Sequence, residues 1–235
     1  MLLKELLSGM KIKKISGNTH INVNGITQDS REVEPGNIFV AVAGLKLDGS
    51  SYIHNALAKG AKIIVTEKIM ELPDGVVGIF VPDDRVALAE LSNNFYDSPS
   101  EQLKIVGITG TNGKTTTSFF LDSIFETAGF RPGLLGTVAV KIAALKAFPG
   151  DGRIIPSKLT TPDATDLQRF FRQMVNDGVT HVSMEVSSHA LALNRVTGVH
   201  FTGGIFTNLS HDHLDFHKNM EEYFKAKRKL FDILE

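Results

Sequence analysis

Residues 105–117 read IVGITGTNGKTTT, and this stretch decides how the second half of the chain folds. The β-branched run at its start is typical of a buried strand, and apolar residues at helical spacing follow it. Between the two, Gly110 and Gly113 enclose a turn, and Lys114 opens the helix. A strand, a glycine-containing turn and a helix that begins with lysine predict a loop that holds phosphate groups.

Each residue type in this turn has a physical reason to bind phosphate. Glycines let backbone N–H groups approach phosphate oxygens, the helix N-terminus adds partial positive charge, and the lysine adds a full charge. A threonine hydroxyl directly after the lysine is a suitable ligand for Mg²⁺. The predicted nucleotide-binding residues are Gly110, Thr111, Asn112, Gly113, Lys114, Thr115 and Thr116.

The match to the strict phosphate-loop motif is incomplete. That motif has a glycine six residues before the lysine, where this chain has Ile108. The alternative interpretation is an ordinary strand-to-helix turn that is rich in glycine. Because the lysine, the hydroxyls and the flanking elements all fit phosphate binding, we favour a nucleotide site.

Composition argues against several classes of function. The 235 residues carry a net charge of −1, so no overall field attracts nucleic acid or an anionic membrane. The chain has no Cys, which rules out disulfides and thiolate metal sites and fits a reducing cytoplasm. The N-terminus does not resemble a signal peptide, and no apolar run is long enough to span a bilayer. We predict a cytoplasmic monomer without nucleic-acid or membrane partners.

The alternation of short strands and helices predicts two α/β domains. We expect residues 1–100 to form a small α/β domain. We expect residues 101–235 to form an incomplete domain with a doubly wound, mostly parallel sheet that carries the phosphate loop. In such sheets ligands bind beyond the carboxyl ends of the strands. The predicted strands are 37–43, 62–66, 78–81, 105–109, 133–140, 179–186 and 200–207; helices are expected at 52–59, after Asp83 or Asp84, after Lys114, after Asp163 and at 220–234; a linker is expected at 97–100 and a loop or loose hairpin, with a turn at 149–152, at 141–158.

Glu185 ends a predicted strand at the same edge of the sheet as the phosphate loop. A carboxylate in this place can supply a second Mg²⁺ ligand. The alternatives are a helix-capping acid and a plain surface charge, and residue type alone does not separate them.

Two later segments are rich in groups that could bind ligands. Residues 207–217 hold three His and two Asp within seven positions. Such a group could bind a transition metal, or it could be an ordinary solvated polar loop. A third alternative is that one His contacts phosphate or a second Mg²⁺. The spacing matches no zinc motif, so a zinc site ranks lowest. Lys227 lies in a basic helix segment, for which a solvated face is the simplest interpretation and a phosphate contact the more specific one.

Near the N-terminus, Asp29, Ser30 and Arg31 precede a glycine turn and a strand. Serine and arginine beside backbone amides can hold a diphosphate or a pyrimidine edge. Composition by itself favours ordinary turn chemistry, in which Asp29 and Ser30 bond to the local backbone.

Taken together, these segments resemble the Mur ligases of bacterial cell-wall synthesis, in the order in which that family has them. The Thr-Thr-Pro and Glu-Val-Ser-Ser-His blocks resemble the family member that adds the third peptide residue. The segments that carry the resemblance are 29–31, 35–41, 110–115, 159–163, 185–191, Asn208 with 212–217, and 226–227.

The resemblance implies an ATP-dependent ligase that joins a diamino acid, diaminopimelate or lysine, to UDP-N-acetylmuramoyl-L-alanyl-D-glutamate through an acyl phosphate. It implies ATP and Mg²⁺ as cofactors and Lys114, His213 and Lys227 as catalytic residues. The implied Mg²⁺ ligands are Thr115, Glu185, His213 and Lys227, the last as a carbamate that offers anionic oxygen. The implied contacts to the UDP-muramoyl-dipeptide are Ser30, Thr160, Thr161, Ser187 and Arg195.

The sequence departs from this family in two respects. Leu193 stands where some relatives have a polar substrate contact, so no role is assigned to it. The family also has a longer central domain and a third, C-terminal domain that completes the amino-acid and ATP sites, so we expect a truncated chain that is inactive alone. Two alternatives remain: a non-catalytic module that binds the UDP-muramoyl-peptide, and another phosphate-loop ligase of the folylpolyglutamate type.

Overall fold

The structure is a computed structural model that describes residues 1–44, 48–142 and 153–234. It divides into two compact units, Met1–Asp97 and Ser98–Glu235. The boundary lies three residues before the one predicted from the sequence, which followed residue 100. Each unit combines helices with a mostly parallel sheet. The predicted α/β class is therefore confirmed.

The first unit contains a five-stranded sheet in the order β1-β5-β4-β3-β2, in which only β1 runs antiparallel to its neighbour. The predicted strands and helices of this half are present, whereas α1, β1 and β2 were not predicted. The elements are α1 (Leu3–Leu6), β1 (Lys14–Ser16), β2 (Gly25–Thr27), β3 (Asn37–Val40), a 3₁₀ turn (Gly49–Tyr52), α2 (Ile53–Ala58), β4 (Ile63–Thr66), β5 (Val77–Phe80) and α3 (Asp84–Phe95).

Helix α3 begins where the sequence predicts, because Asp83 caps it. The Asp83 carboxylate accepts hydrogen bonds from the backbone N–H groups of Arg85 and Val86, both at 2.9 Å. On one side of the sheet, Phe39 and Ile64 pack with Ile53 of α2 in a buried cluster. Burial of these large side chains stabilises the first unit.

The second unit contains a six-stranded sheet in the order β11-β6-β10-β7-β8-β9. The first four of these strands are parallel, and β8 and β9 continue as antiparallel neighbours. The elements are a 3₁₀ turn (Pro99–Gln102), β6 (Lys104–Thr109), α4 (Lys114–Thr127), β7 (Pro132–Leu135), β8 (Ala139–Ile142), β9 (Arg153–Pro156), α5 (Ala164–Asn176), β10 (His181–Glu185), α6 (Ser188–Ala192), β11 (Gly203–Phe206), α7 (Leu214–His217) and α8 (Met220–Asp232).

The prediction of one strand over residues 133–140 is wrong. The chain instead turns between β7 and β8, and the Gly136 N–H donates to the Ala139 carbonyl at 3.1 Å. A β-carbon on Gly136 would lie 2.3 Å from the Glu185 carboxylate, so only glycine allows this close approach. The antiparallel β8–β9 pair agrees with the predicted loose hairpin, whereas the predicted turn at 149–152 lies outside the described residues.

The main core of the second unit lies between the sheet and helices α5 and α8. Leu167 and Phe171 of α5 pack there with Val182 and Met184 of β10 and with Leu230 of α8. Glu185 has the opposite parity along β10 and contacts α4 instead. The alternation of side chains along this strand therefore presents apolar groups to the core and a carboxylate to the phosphate-loop helix.

The apolar stripe of α4 predicted a helix correctly, but most of it does not face the sheet. Phe120 and Ile124 are 66% and 61% exposed, whereas the residues that α4 buries include Ser118 and Asp122. The Asp122 carboxylate forms a 2.8 Å ion pair with Lys141 of β8. The helix thus packs on the sheet through small and polar groups.

None of the helices in the described ranges combines the length and the apolar character needed to cross a membrane.

Candidate nucleotide site

The predicted phosphate loop connects β6 to α4 at the carboxyl ends of the parallel strands. Gly110 has φ +141°, and a β-carbon there would lie 2.0 Å from the Thr207 hydroxyl oxygen, so glycine is required. The Thr111 N–H donates to the Asn208 backbone carbonyl at 2.9 Å, and the Asn112 N–H donates to the Asn208 side-chain oxygen at 3.1 Å. The segment after β11 therefore fixes the loop.

Helix α4 begins directly after Gly113 and runs for 14 residues. Its first-turn N–H groups have no intrahelical partners, and the helix dipole places partial positive charge at this end. Thr115 and Thr116 lie in this first turn, with Thr116 exposed. The geometry is that of an anion-binding helix N-terminus beside a lysine.

The Lys114 ammonium folds back over the loop. Its Nζ donates to the carbonyls of Gly110 and Thr111, both at 2.9 Å. Burial lowers the pKa of Lys114, and the nearby Glu185 carboxylate acts in the opposite direction. A half-buried cation without a bonded carboxylate is costly to keep, which is typical of functional rather than structural lysines.

Glu185 lies directly beside Thr115, as the sequence predicted. The Thr115 hydroxyl donates to Glu185 Oε2 at 3.0 Å. On the other side, the Thr137 N–H donates to Oε1 at 2.9 Å and the Thr137 hydroxyl to Oε2 at 3.1 Å. The carboxylate is buried, and its direction is fixed by these three donors. The alternative of a plain surface charge is therefore excluded.

Four of the five residues predicted to contact the UDP-muramoyl-dipeptide, all except Ser30, lie around the same strand end. Thr160 is within 3.1 Å of the Thr137 hydroxyl, whereas the buried Thr161 hydroxyl donates to the Glu185 carbonyl at 3.0 Å. The Ser187 N–H donates to the Thr161 hydroxyl oxygen at 3.0 Å.

The fourth predicted substrate contact, Arg195, is half-buried. It donates to the Thr161 carbonyl at 3.2 Å and pairs with Asp163 at 3.0 Å. The structure thus groups all four residues, and their contact with a substrate stays a prediction.

Lys227 is a buried lysine directly behind the phosphate loop. It is 1% exposed, and its Nζ donates to the Gly110 carbonyl at 2.6 Å. Its ammonium also lies 4.4 Å from the centre of the Tyr223 ring. Burial, reinforced by the positive charge of Lys114, lowers the pKa of Lys227 from 10.5 to about 7. The interpretation of a solvated basic helix face is therefore wrong for this residue, and its predicted role as a metal ligand stays a prediction.

The depressed Lys227 pKa predicts that folding stability rises with pH above about 7. Between pH 7 and 10.5 the unfolded chain binds a proton at this lysine that the folded chain has released. The free energy of unfolding should therefore increase from pH 7 to pH 9, by at most about 1.4 kcal/mol per pH unit. Urea denaturation in CO₂-free buffer without Mg²⁺ measures this slope.

The matched variants are Lys227→Met and Lys229→Met, the second on the exposed side of the same helix. The first should flatten the slope between pH 7 and pH 9, and the second should leave it unchanged. Equal slopes in the wild type and Lys227→Met would contradict the depressed pKa.

His213 lies at the start of α7 with φ +52°. Its ring contacts the ring of His189, with centroids 4.9 Å apart, and its Nε2 lies 3.5 Å from the Asp212 carboxylate. In the part of the chain that the structure describes, His213 makes no hydrogen bond to Thr115, Glu185 or Lys227. Its predicted role as a metal ligand stays a prediction.

Ser30 belongs to the first unit, where it is buried between Asp29 and Arg31. The Arg31 guanidinium forms a bidentate pair with the Asp29 carboxylate, with nitrogen–oxygen distances of 2.7–3.1 Å. The hydrogen bonds from Arg31 lower the pKa of Asp29. The Asp29 carboxylate also accepts from the Arg31 backbone N–H at 2.9 Å, as the turn-chemistry interpretation expects of Asp29, and contact between Ser30 and UDP stays a prediction.

Sequence reasoning missed several residues that shape the site. Thr137 holds Glu185, and the fully buried Tyr223 reaches Thr111 with its hydroxyl at 3.2 Å. The buried His217 bonds to the Ser188 hydroxyl at 2.9 Å. The dense run of His in residues 207–217 was a signal for part of this cluster, but Thr137 gave none.

Known protein families match both halves of the chain. Residues 108–235 match the family model described as "Mur ligase middle domain", and residues 22–96 match the one described as "Mur ligase family, catalytic domain". The first of these matches alone covers more than half of the chain.

Two similar relatives carry the name UDP-N-acetylmuramoyl-L-alanyl-D-glutamate--2,6-diaminopimelate ligase. Those from Clostridium perfringens and Caldanaerobacter subterraneus subsp. tengcongensis are each 46% identical over 99% of this chain and 46% of their own length. A solved structure described by the same name has a TM-score of 0.80 and 28% identity, and it covers 100% of this chain and 46% of its own. The chain thus spans about half the length of the relatives that it matches.

Proposed function

The chain belongs to the Mur ligase family, and we propose that it supplies the ATP site and part of the UDP-muramoyl-dipeptide site of an amide ligase. The complete reaction would join 2,6-diaminopimelate to UDP-N-acetylmuramoyl-L-alanyl-D-glutamate. Two relatives of 46% identity, both named for this reaction, support the choice of diaminopimelate over lysine. The observation that carries the proposal is the 3.0 Å contact between Thr115 and Glu185 beside the phosphate loop.

The reaction proceeds through an acyl phosphate. A carboxylate oxygen of the substrate glutamate attacks the γ-phosphorus of ATP, and ADP leaves. The amine of the diamino acid then attacks the acyl carbon, phosphate leaves, and the amine loses a proton. Phosphoryl transfer of this kind is catalysed mainly by positioning and by neutralising charge.

The chain's own residues suit the phosphate half of this task. The N-terminus of α4 and Lys114 would hold the β- and γ-phosphates, because both direct positive charge at one point. To reach phosphate, Lys114 would exchange one of its two backbone carbonyls for a phosphate oxygen. The exchange is favourable because an anionic oxygen accepts a stronger hydrogen bond than a carbonyl does.

The residues present also fit Mg²⁺. Thr115 and Glu185 offer two hard oxygen donors within 3.0 Å of each other, at the helix end where the phosphates would lie. Bound there, Mg²⁺ would neutralise phosphate charge. Thr137 holds Oε1 of Glu185 through its backbone N–H, so the second carboxylate oxygen can turn towards the ion.

Lys227 as a carbamate is part of the same proposal. The unmodified ammonium is buried, and among the described residues its one hydrogen bond goes to the Gly110 carbonyl. The positive charge of Lys114 acts on it as well, so the site is poorly suited to a second positive charge. Carbamylation joins the lysine nitrogen to CO₂ with loss of a proton and replaces the cation by an anionic oxygen donor. Intact mass and ¹³C NMR in labelled bicarbonate would detect this group.

Binding measurements on the 235-residue chain test the proposal. Isothermal titration calorimetry with Mg²⁺ and ADP, and separately with UDP-N-acetylmuramoyl-L-alanyl-D-glutamate, should show binding of both ligands. Ser30→Ala should weaken binding of the second ligand by about ten- to a hundredfold, as expected for one lost hydrogen bond to a charged group, and leave binding of ADP unchanged. Binding of the UDP-substrate without ADP would favour the non-catalytic module, and binding of neither would overturn both.

A further inference from the structure

Tyr223 is the largest fully buried side chain of the described residues, and it lies against the proposed nucleotide site. Its hydroxyl is 3.2 Å from the Thr111 hydroxyl oxygen of the phosphate loop. One ring face lies 4.4 Å from the Lys227 ammonium. The ring also packs against His217, with centroids 5.2 Å apart. The Tyr223 side chain therefore contacts the phosphate loop, the buried Lys227 and His217.

The direction of the hydrogen bond to Thr111 follows from its other partners. Thr111 Oγ1 donates to the Ser210 carbonyl at 3.2 Å and accepts from the Ser210 N–H at 3.0 Å. A hydroxyl has one proton to donate, and a carbonyl can only accept. The Thr111 proton is therefore used, and the Tyr223 hydroxyl is the donor to Thr111.

While Lys227 is an unmodified ammonium, the ring also acts on the neighbouring loop residue through this lysine. A cation over the face of a tyrosine ring is attracted by the electron density of that face. The same ammonium donates to the Gly110 carbonyl at 2.6 Å. The hydroxyl and the ring of Tyr223 thus hold two consecutive residues of the loop, Thr111 directly and Gly110 through the lysine.

We propose that Tyr223 is a positioning residue that fixes the phosphate loop. Its hydroxyl anchors Thr111 whatever the state of Lys227, and its ring holds Lys227 against Gly110 while that lysine is an unmodified ammonium. The inference rests on the proposed function, because it assigns the loop to a nucleotide. A purely structural role in filling the core would need only the ring, since phenylalanine occupies nearly the same volume. The hydroxyl and the ring therefore make separable contributions.

Three variants separate these contributions. Tyr223→Phe removes only the hydroxyl, and Tyr223→Leu removes the hydroxyl and the ring face. Phe171→Leu is the matched control, because Phe171 is equally buried but lies on α5 in the main core. It should cost folding stability, as the loss of a core ring does, without disturbing the loop.

The first measurement is hydrogen exchange of the ligand-free chain in CO₂-free buffer, where Lys227 stays unmodified, compared at equal distance below each melting temperature. The Thr111 amide should exchange about two- to tenfold faster in Tyr223→Phe, as expected for one net hydrogen bond, and faster still in Tyr223→Leu. In Phe171→Leu it should match the wild type. Unchanged exchange in Tyr223→Phe would overturn the proposal even if Tyr223→Leu does not fold.

The second measurement is the Kd for ADP with Mg²⁺, which should rise in the same order while Phe171→Leu binds as the wild type does. If the wild type binds ADP, equal ADP affinity in Tyr223→Phe and the control would also overturn the proposal. If exchange is faster in the tyrosine variants but the wild type does not bind ADP, the positioning role stands and the nucleotide function fails. If ADP binds and exchange does not change, the function stands and the positioning role fails.

Discussion

Replacing Lys114 with alanine should weaken binding of β,γ-imido-ATP to the chain by about a hundredfold, or about 3 kcal/mol. Lys114 supplies a full positive charge at the loop, and hydrogen bonds from a charged donor to phosphate are among the strongest that a site can offer. Because burial lowers the pKa of this lysine, its ammonium costs folding energy. The variant should therefore keep its melting temperature or gain a little.

Calorimetry with Mg²⁺ measures the affinity, and circular dichroism measures the melting temperature. Lys104→Ala is the matched control, since it removes the same charge from an exposed position at the other end of β6. Binding of the UDP-muramoyl-dipeptide should be largely unchanged in both variants. If Lys114→Ala lost binding of both the nucleotide and the UDP-muramoyl-dipeptide, the proposed separation of the two binding sites would be contradicted.

Replacing Glu185 with glutamine should remove most of the Mg²⁺-dependent part of nucleotide binding. The amide keeps the size of the side chain and an oxygen for the Thr137 N–H, but it has no charge and is a poor ligand for a hard cation. We expect β,γ-imido-ATP to bind about ten- to a hundredfold more weakly in Mg²⁺. In EDTA its affinity should be equal to that of the wild type or higher, because a negative charge beside the phosphates is gone.

The dependence on Mg²⁺ distinguishes this result from simple unfolding. Glu126→Gln makes the same chemical change at an exposed position near the end of α4 and should alter neither affinity. If Glu185→Gln weakened β,γ-imido-ATP binding equally in Mg²⁺ and in EDTA, Glu185 would support the structure of the loop and would not bind the metal.

The strand, turn and helix around Lys114 could be predicted because their signals are local. A β-branched run, glycines at the turn and helical spacing of apolar residues lie within about 25 consecutive positions. The pairing of Thr115 with Glu185 was also predictable, although 70 residues separate them, because strand ends of a parallel sheet meet at one edge.

The remaining features depend on contacts that no local pattern encodes. The turn at Gly136 interrupts an apolar run that reads as one strand, and it lies against the carboxylate of a residue 49 positions later in the chain. The contact between Tyr223 and Thr111 spans 112 residues and joins residue types that are ordinary in either place. The exposure of Phe120 shows that helical periodicity identifies a helix but does not settle which face is buried.

The most direct test of the account is a crystal structure of this chain with Mn²⁺ and β,γ-imido-ATP. We expect an anomalous peak about 2 Å from both the Thr115 hydroxyl oxygen and a Glu185 carboxylate oxygen, next to the phosphates, with the Lys114 ammonium bonded to the phosphate groups. A nucleotide bound away from residues 110–115, or a metal that does not touch Glu185, would contradict it.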